Sequence, residues 1–354
     1  MRIGFVFTQL AFINQFEQVC RALRKRGNHI AVFPSCNTLE KRDFCEVINC
    51  RWDNFRFNKI NNFAPDRLIT FNGYHPSVIP AIKILKDSYK TFHGEMGWLP
   101  QRNHIYLDTD MGYGGEISLN TNSIKKNEVI LNKDQTNVID GLRESYGIQD
   151  VTGLPKKFIL IPLQLEHDIS IIKDSPYFKM MRNLVAFVAY SCPGVPIIVK
   201  QHPAGDPQEK YTAWAKLEIT KDVKVIYDPS VRTIDLVPHC SAIVGINSTV
   251  MMESLLFYKP MISFGYSMLF EPNSHILKKG ERLKEYFNLW SDPIKWKGRL
   301  RNGLKEVYDK MIFYLYSNQF NWKEPPPDWV VDKILNYDTR PRFGNEFWNG
   351  KDLR

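Results

Sequence analysis

The chain has 354 residues, 44% of them hydrophobic and 24% charged, which is enough apolar material for two cores and excludes a disordered or fibrous protein. Its formal net charge is +9, but the basic residues are spread along the chain and no nucleic-acid-binding motif accompanies them. The charge therefore suits acidic substrates or an anionic membrane surface, and no nucleic-acid partner is expected.

Residues 2–7, RIGFVF, form an apolar run of strand length. The start MRIGFVFTQLAF offers no small-residue cleavage site, so it reads as a first strand and not as a leader. Apolar residues at Phe16, Val19, Cys20 and Leu23 then recur at helical spacing, Gly27-Asn28 ends that helix, and His29–Phe33 is a second strand. A strand–helix–strand opening predicts a parallel α/β sheet. Further elements are a strand at Leu68–Phe71, a loop at Asn72–Pro76, a helix over Ser77–Leu85, and a strand at Thr91–His93 leading into the glycine-rich stretch HGEMGWLP. Residues 105–120 are rich in Gly, Asp and Ser, and 124–146 has a helical pattern.

The turn-rich sequence DVTGLPKK (150–157) reads as a linker. After it the rhythm begins again: strands at Phe158–Pro162, Pro196–Lys200, Val223–Tyr227, Ala242–Val244 and Met261–Phe264, with helices at 177–190, 233–239 and 249–257. From Glu281 the chain is helical and aromatic, Glu324 and Pro325–Pro327 read as a helix stop, and the end is basic and irregular. The expected organisation is a Rossmann-like acceptor-side domain (1–152), a Rossmann-like nucleotide-sugar-binding domain (153–335) and a tail (336–354). No stretch has the length of a membrane-spanning helix. The six cysteines (Cys20, Cys36, Cys45, Cys50, Cys192 and Cys240) form no CxxC pair and have no histidines at zinc spacing, so they read as reduced thiols in a cytoplasmic protein.

Four constellations could carry chemistry. Gln164 and Asp168 follow directly on a predicted strand, where open parallel sheets bind ligands; Asp168 is either a base or nucleophile, or the cap of the next helix. In VKQHP, Pro203 fixes the backbone after His202, which could donate to a phosphate while Lys200 adds charge; an ordinary solvated turn is the plainer reading. In GINSTVMMES, Ser248 and Thr249 open a helix whose backbone N–H groups favour an anion, and Glu253 lies one turn on, placed for ribose hydroxyls. Glu95 sits between two glycines as a candidate general acid or base, and Asp108 and Asp110 precede a loop without diagnostic metal spacing. The aromatic residues Trp290, Trp296, Phe313, Tyr314, Tyr316 and Trp322 suit core packing better than membrane contact.

Together the motifs EMGWL from Glu95, QLEHDISI from Gln164, KQHP from Lys200 and STVMMES from Ser248 resemble, in order and spacing, the capsule polysaccharide synthesis family and its retaining β-Kdo glycosyltransferases. The resemblance spans about residues 71–265. It implies an α/β fold of two Rossmann-like, doubly wound domains facing a central cleft (GT-B-like). It implies a CMP-Kdo donor, no metal or other cofactor, and a glycan or glycolipid acceptor. In such enzymes the His-Pro and Ser-Thr motifs hold the CMP phosphate. That role falls to Lys200, His202, Pro203, Ser248 and Thr249, with Gln164 beside them and Glu253 at the ribose. Asp168 becomes the nucleophile and Glu95 the acid/base. A peripheral place at the inner membrane fits the charge. A UDP-sugar enzyme (transferase or epimerase) and a non-catalytic glycan-binding subunit of capsule assembly are the alternatives.

Overall fold

The computed structural model describes residues 1–7, 11–34, 40–49, 57–71, 79–110, 113–121, 124, 130–204, 222–279 and 281–342. The expected loop at 72–76, the stretch after Ala204, and Cys36 and Cys50 lie outside them. By packing, the chain divides into two compact units: Met1–Asn120 with Tyr314–Arg354, and Thr121–Phe313.

The first unit is a seven-stranded sheet. Its strands are β1 (Arg2–Phe7), β2 (His29–Pro34), β3 (Glu46–Val47), β4 (Arg67–Phe71), β5 (Thr91–Met96), β6 (His104–Asp108) and β12 (Gln319–Asn321), in the order β12-β6-β5-β4-β1-β2-β3. From β3 to β5 the pairing is parallel; β6 and β12 are antiparallel additions at one edge. Alternation along β1 sends Ile3, Phe5 and Phe7 into the larger core and Val6 into a second core on the opposite face. A strand covered on both faces must be apolar at nearly every position, which is why RIGFVF reads as a continuous run. Helix α1 (Ala11–Lys25) covers the first face, with Phe16 against Phe5 at 5.6 Å and edge-on to Phe71 at 5.2 Å. Helices α2 (Asn58–Phe63) and α3 (Ile79–Ser88) supply Ile60, Phe63 and Leu85 to the other face.

The second unit is an all-parallel five-stranded sheet of β7 (Ile159–Pro162), β8 (Ile197–Lys200), β9 (Val223–Ile226), β10 (Ala242–Gly245) and β11 (Met261–Ser263), in the order β11-β10-β7-β8-β9. Counted from each unit's own first strand, both sheets run 3-2-1-4-5, the doubly wound order. Short helix α4 (Glu116–Leu119) belongs to the first unit. The second unit contains α5 (Lys133–Ser145), α6 (Ile169–Asp174), α7 (Met181–Ser191), α8 (Thr233–Leu236), α9 (Thr249–Glu253), α10 (Ser274–Lys278), α11 (Glu281–Trp290) and α12 (Pro293–Arg299). Then follow α13 (Lys305–Ser317), within which the division falls, and α14 (Asp328–Asn336) of the first unit.

This division differs from the one expected from the linker-like DVTGLPKK. Helix α5 lies before that turn but packs with the second unit: Arg143 donates to the Leu256 carbonyl at 2.6 Å and to the Tyr258 hydroxyl at 2.9 Å. At the far end, β12 pairs with β6, and Val330, Val331 and Ile334 of α14 fill the first unit's core. Local turn composition marks a bend; only the distant packing partners decide which core a segment joins.

Two local expectations also change. Residues 93–96 are not loop but the end of β5, paired antiparallel with β6. The glycines there provide room. A Cβ on Gly94 would stand 2.7 Å from Phe16 and 2.8 Å from Phe71, and one on Gly97 would meet His104 and the Gln319 carbonyl oxygen. That oxygen accepts from the N–H groups of Trp98 and Leu99, and the Gln319 amide donates back to the Leu99 carbonyl, so the β5–β6 turn is pinned from β12. Second, the prolines at 325–327 precede α14 and do not stop a helix: α13 has already ended at Ser317, and Pro327 occupies the position before the first turn of α14. The aromatic C-terminal segment is used for packing as expected. Phe313 and Tyr314 are buried, Trp322 packs on the first core, and Trp290 packs on the second.

Replacing Gly94 with Ala is expected to cost about 1–3 kcal/mol by overpacking against Phe16 and Phe71. Gly141, inside α5 with open space around its Cβ position, should gain up to about 1 kcal/mol on change to Ala. Urea unfolding of the two variants should move the midpoints in opposite directions.

Candidate active site

The candidate site in the second unit is built at the carboxyl ends of β7, β10 and β8. Chain order reverses between β7 and β10, and in a doubly wound sheet the crevice for a ligand opens at that point. Gln164, two residues past β7, is 9% exposed and faces Asn247, two residues past β10. Its amide donates to Asn247 Oδ1 at 2.8 Å, and its carbonyl oxygen accepts the Asn247 N–H at 3.2 Å. Asn247 Nδ2 in turn donates to the Ser170 carbonyl at 3.0 Å. Three segments are thereby tied across the switch point: the β7 loop, the β10 loop and the first turn of α6.

Asp168 lies at the start of that turn. It is exposed, and its Oδ1 accepts the Ser170 N–H at 2.9 Å as the cap of α6. Capping and chemistry were alternative readings of this residue; the cap is present, and it also fixes the carboxylate's direction. The neighbouring His167 is exposed. His202, beyond β8, feels the negative charge of Asp168, but burial of the half-buried ring dominates and lowers its pKa. Its Nδ1 accepts the Ala204 N–H at 3.1 Å, so the neutral ring carries its proton on Nε2, a donor for an anion. Pro203 is exposed in this turn.

Lys200 departs from its expected presentation. It is 4% exposed, its Nζ donates to the Asp228 carbonyl at 3.1 Å, and burial lowers its pKa. The side chain joins the ends of β8 and β9 instead of standing in solvent. Ser248 and Thr249 open α9 directly after Asn247; the Ser248 carbonyl accepts the Met251 N–H at 3.0 Å, and the Ser248 side chain makes no cap bond. Gly245 at the end of β10 leaves room for Met251, whose sulfur would stand 2.9 Å from an added Cβ, so α9 can start close against the strand.

Glu253, at the end of α9, accepts the Tyr146 hydroxyl at 2.9 Å. Burial pushes its pKa from 4.5 up to about 7, against the Tyr146 hydrogen bond and the Arg232 charge, which lower it. Arg232 is bound to Asp235 and to the Tyr146 and Gly147 carbonyls, so the end of α5, the start of α8 and the end of α9 form one polar cluster.

Glu95 lies in the first unit, near the end of β5 and opposite Tyr106. It is half-buried, and its Oε1 accepts the Met96 N–H at 2.9 Å. Asp108 is turned inward, fully buried. It accepts from the N–H groups of Thr109, Glu116 and Ile117 and so anchors α4; burial raises its pKa to about 6. Asp110 pairs with Lys86 at 3.0 Å. Among the described residues no His, Cys, Asp or Glu cluster has the makings of a metal site.

Sequence reading passed over Asn247 and Tyr146. Asn247 carried a signal: it follows an apolar strand and precedes the Ser-Thr pair. Its partner, however, is 83 residues away, visible only once β10 is placed beside β7.

Two doubly wound units of this kind make the fold that of the GT-B glycosyltransferases. Residues 127–270, which hold every candidate side chain of the second unit, match the family model described as capsule polysaccharide biosynthesis protein, and over that segment the resemblance seen in the sequence is borne out. Among solved structures, the β-Kdo 2,7 transferase of Thermosulfurimonas dismutans KpsC is similar at 16% identity. The match covers 94% of this chain and 99% of that one, with a TM-score of 0.55. The β-Kdo 2,4 transferase of the same protein is similar at 14% identity over 76% and 81%, with a TM-score of 0.47. No curated protein sequence matches the chain.

Glu253 also gives a stability prediction. Its folded pKa is raised above 4.5, so the native state binds the proton more tightly than the unfolded chain. Its stabilising contribution is full below about 4.5 and is lost as pH rises through about 7. Glu253→Gln should therefore flatten the fall in stability across that window. Urea midpoints measured at its two ends test this; an unchanged pH slope would contradict it.

Proposed function

We propose that the chain is a glycosyltransferase of surface-polysaccharide synthesis that transfers Kdo, or a related 2-keto acid sugar, from its CMP-activated form to a glycan or glycolipid acceptor with retention of configuration. The observation that supports this best is the gathering of Gln164, Asp168, His202, Asn247 and Ser248 at the carboxyl ends of three adjacent strands, astride the switch point and inside the family-matched segment.

In this reading the CMP phosphate rests against His202 Nε2–H and the start of α9, with Ser248 and Thr249 as further donors; Pro203 holds the turn, and the buried Lys200 contributes positive charge from beneath. Glu253, oriented by Tyr146, meets the ribose. An Asp168 oxygen attacks the anomeric carbon, and the bond from that carbon to the phosphate oxygen breaks with its electron pair leaving on CMP. The acceptor hydroxyl oxygen then attacks the same carbon, its proton passes to Glu95, and the Asp168 carboxylate is released. Kdo carries its own carboxylate beside the reacting carbon, which stabilises the oxocarbenium-like transition state. CMP departs as an anion whose charge the site must neutralise. A net charge of +9 favours the encounter with such a donor.

Intact-mass measurement after incubation with CMP-Kdo is expected to show a Kdo-sized adduct that Asp168→Ala abolishes. His202→Ala should weaken CMP binding by about 10–100-fold, the range for a hydrogen bond to a charged group. Glu95→Gln should lower turnover by about 10²–10⁴ while sparing CMP binding. Nucleotide release from UDP-sugars and none from CMP-Kdo would overturn the donor assignment. Absence of both adduct and turnover with every donor would favour a glycan-binding subunit.

A further inference from the structure

Helix α12 and the segment after it carry a surface that the transfer reaction does not use. From Pro293 to Lys305 the sequence has five basic residues (Lys295, Lys297, Arg299, Arg301 and Lys305) and no acidic one. All five are exposed. Among them stands Ile294, 84% exposed, the most solvent-open large hydrophobic side chain of the described residues.

The orientation of the helix makes this one surface. Asp292 caps its N-terminus, accepting from the N–H groups of Ile294 and Lys295. The half-buried Trp296 donates its indole N–H to the Tyr258 carbonyl at 3.0 Å, and Leu300, four residues on, is half-buried as well. These two residues mark the inward side. Ile294, Lys297 and Arg301 fall on successive turns of the outward side, and Lys295 and Arg299 flank them one turn apart. After Arg301 the helix is interrupted at Asn302 and at Gly303, which has φ +97°, so the chain turns before α13. Nearby acids are few. Asp292 is committed to the cap, with Lys295 Nζ 3.5 Å away, and Asp309 is paired with Lys305 at 2.6 Å. Among the described side chains of the adjoining helices, the exposed acids are Glu285 on α11 and Glu306 on α13, and Glu306 is paired with Lys310 at 2.7 Å.

We propose that this face docks the protein on an anionic lipid bilayer, with Ile294 entering the headgroup layer and the ring of Lys and Arg meeting acidic phospholipids. A nucleic acid or an acidic glycan would match the charge but would leave Ile294 in water. A lipid surface satisfies both the charge and the apolar tip. An acceptor tethered to lipid would then be met in two dimensions. The docking itself does not depend on which sugar is transferred, so it can fail or hold independently of the donor assignment.

The test is co-sedimentation of the full chain with vesicles of phosphatidylcholine, with and without phosphatidylglycerol. Binding is expected only to the anionic vesicles and should fall steeply with added salt. Each basic residue near such a surface strengthens binding about fivefold (about 1 kcal/mol), so the triple variant Lys297→Glu, Arg299→Glu, Arg301→Glu should lose on the order of a hundredfold or more in partitioning. Ile294→Asp should also weaken binding, and Ile294→Trp should strengthen it, a gain that no folding defect produces. Equal binding to neutral vesicles, undiminished binding by the triple variant, or a DNA shift that the triple variant loses while its vesicle binding persists would each overturn the proposal.

Discussion

The reciprocal amide contact between Gln164 and Asn247 is the constraint from which the geometry of the candidate site follows. In a doubly wound sheet the connections leaving the two central strands run to opposite faces, so the loops beyond β7 and β10 part from one another and open a crevice. Polar groups in such a crevice must be paired if they are to hold one position. Here one side-chain amide supplies both a donor and an acceptor to its neighbour, and that neighbour passes the connection on to Ser170. The loop that starts α9 and the turn that carries Asp168 are therefore set in register with each other. Replacing either amide would unpair its partner in a nearly closed setting, where an unmatched donor or acceptor costs about 1–3 kcal/mol.

The electrostatics around this contact avoid fixed positive charge at the surface. His202 is held neutral by burial and by its acceptor role at Nδ1, and Lys200 is withdrawn beneath the strand ends. For the anion proposed here, the site would present the His202 Nε2–H and the start of α9, with the Lys200 nitrogen set back from them. Preorganised dipoles of this kind need little rearrangement when charge develops on a leaving phosphate. Glu253 follows a similar economy: partly buried, with the Tyr146 hydroxyl on one oxygen, it stays close to the boundary between its two protonation states near neutral pH.

What the sequence revealed, and what it hid, follows from the range over which each feature is encoded. The strands β1, β2, β7, β8 and β10 were legible because central parallel strands are apolar on both faces and short. The positions of Gln164, His202 and Ser248 past strand ends, and of Lys200 as the last residue of β8, were legible for the same reason. The glycines of HGEMGWL were misleading: glycine is read as a turn former, but Gly94 serves close packing of Phe16 and Phe71, partners 78 and 23 residues away. The unit boundary was hidden likewise. Helix α5 and strand β12 look local in sequence, and only Arg143 reaching the Leu256 carbonyl and Gln319 reaching Leu99 assign them to a core.

Asp168 shows why a structural role and a chemical one need not compete. A helix cap must present a carboxylate oxygen to the backbone N–H two residues on, and here that oxygen is Oδ1. The bond removes the rotational freedom of the side chain, and the Asn247 link to Ser170 steadies the same turn from the other side. For a group proposed to attack a crowded quaternary carbon, orientation matters more than high basicity, since a near-attack geometry supplies several kcal/mol of the barrier in advance. The same cap would orient an electrostatic stabiliser of an oxocarbenium ion equally well. What distinguishes a nucleophile is a carbon–oxygen bond to Asp168 that forms and then breaks, and that bond is chemically visible whatever the helix beneath it requires.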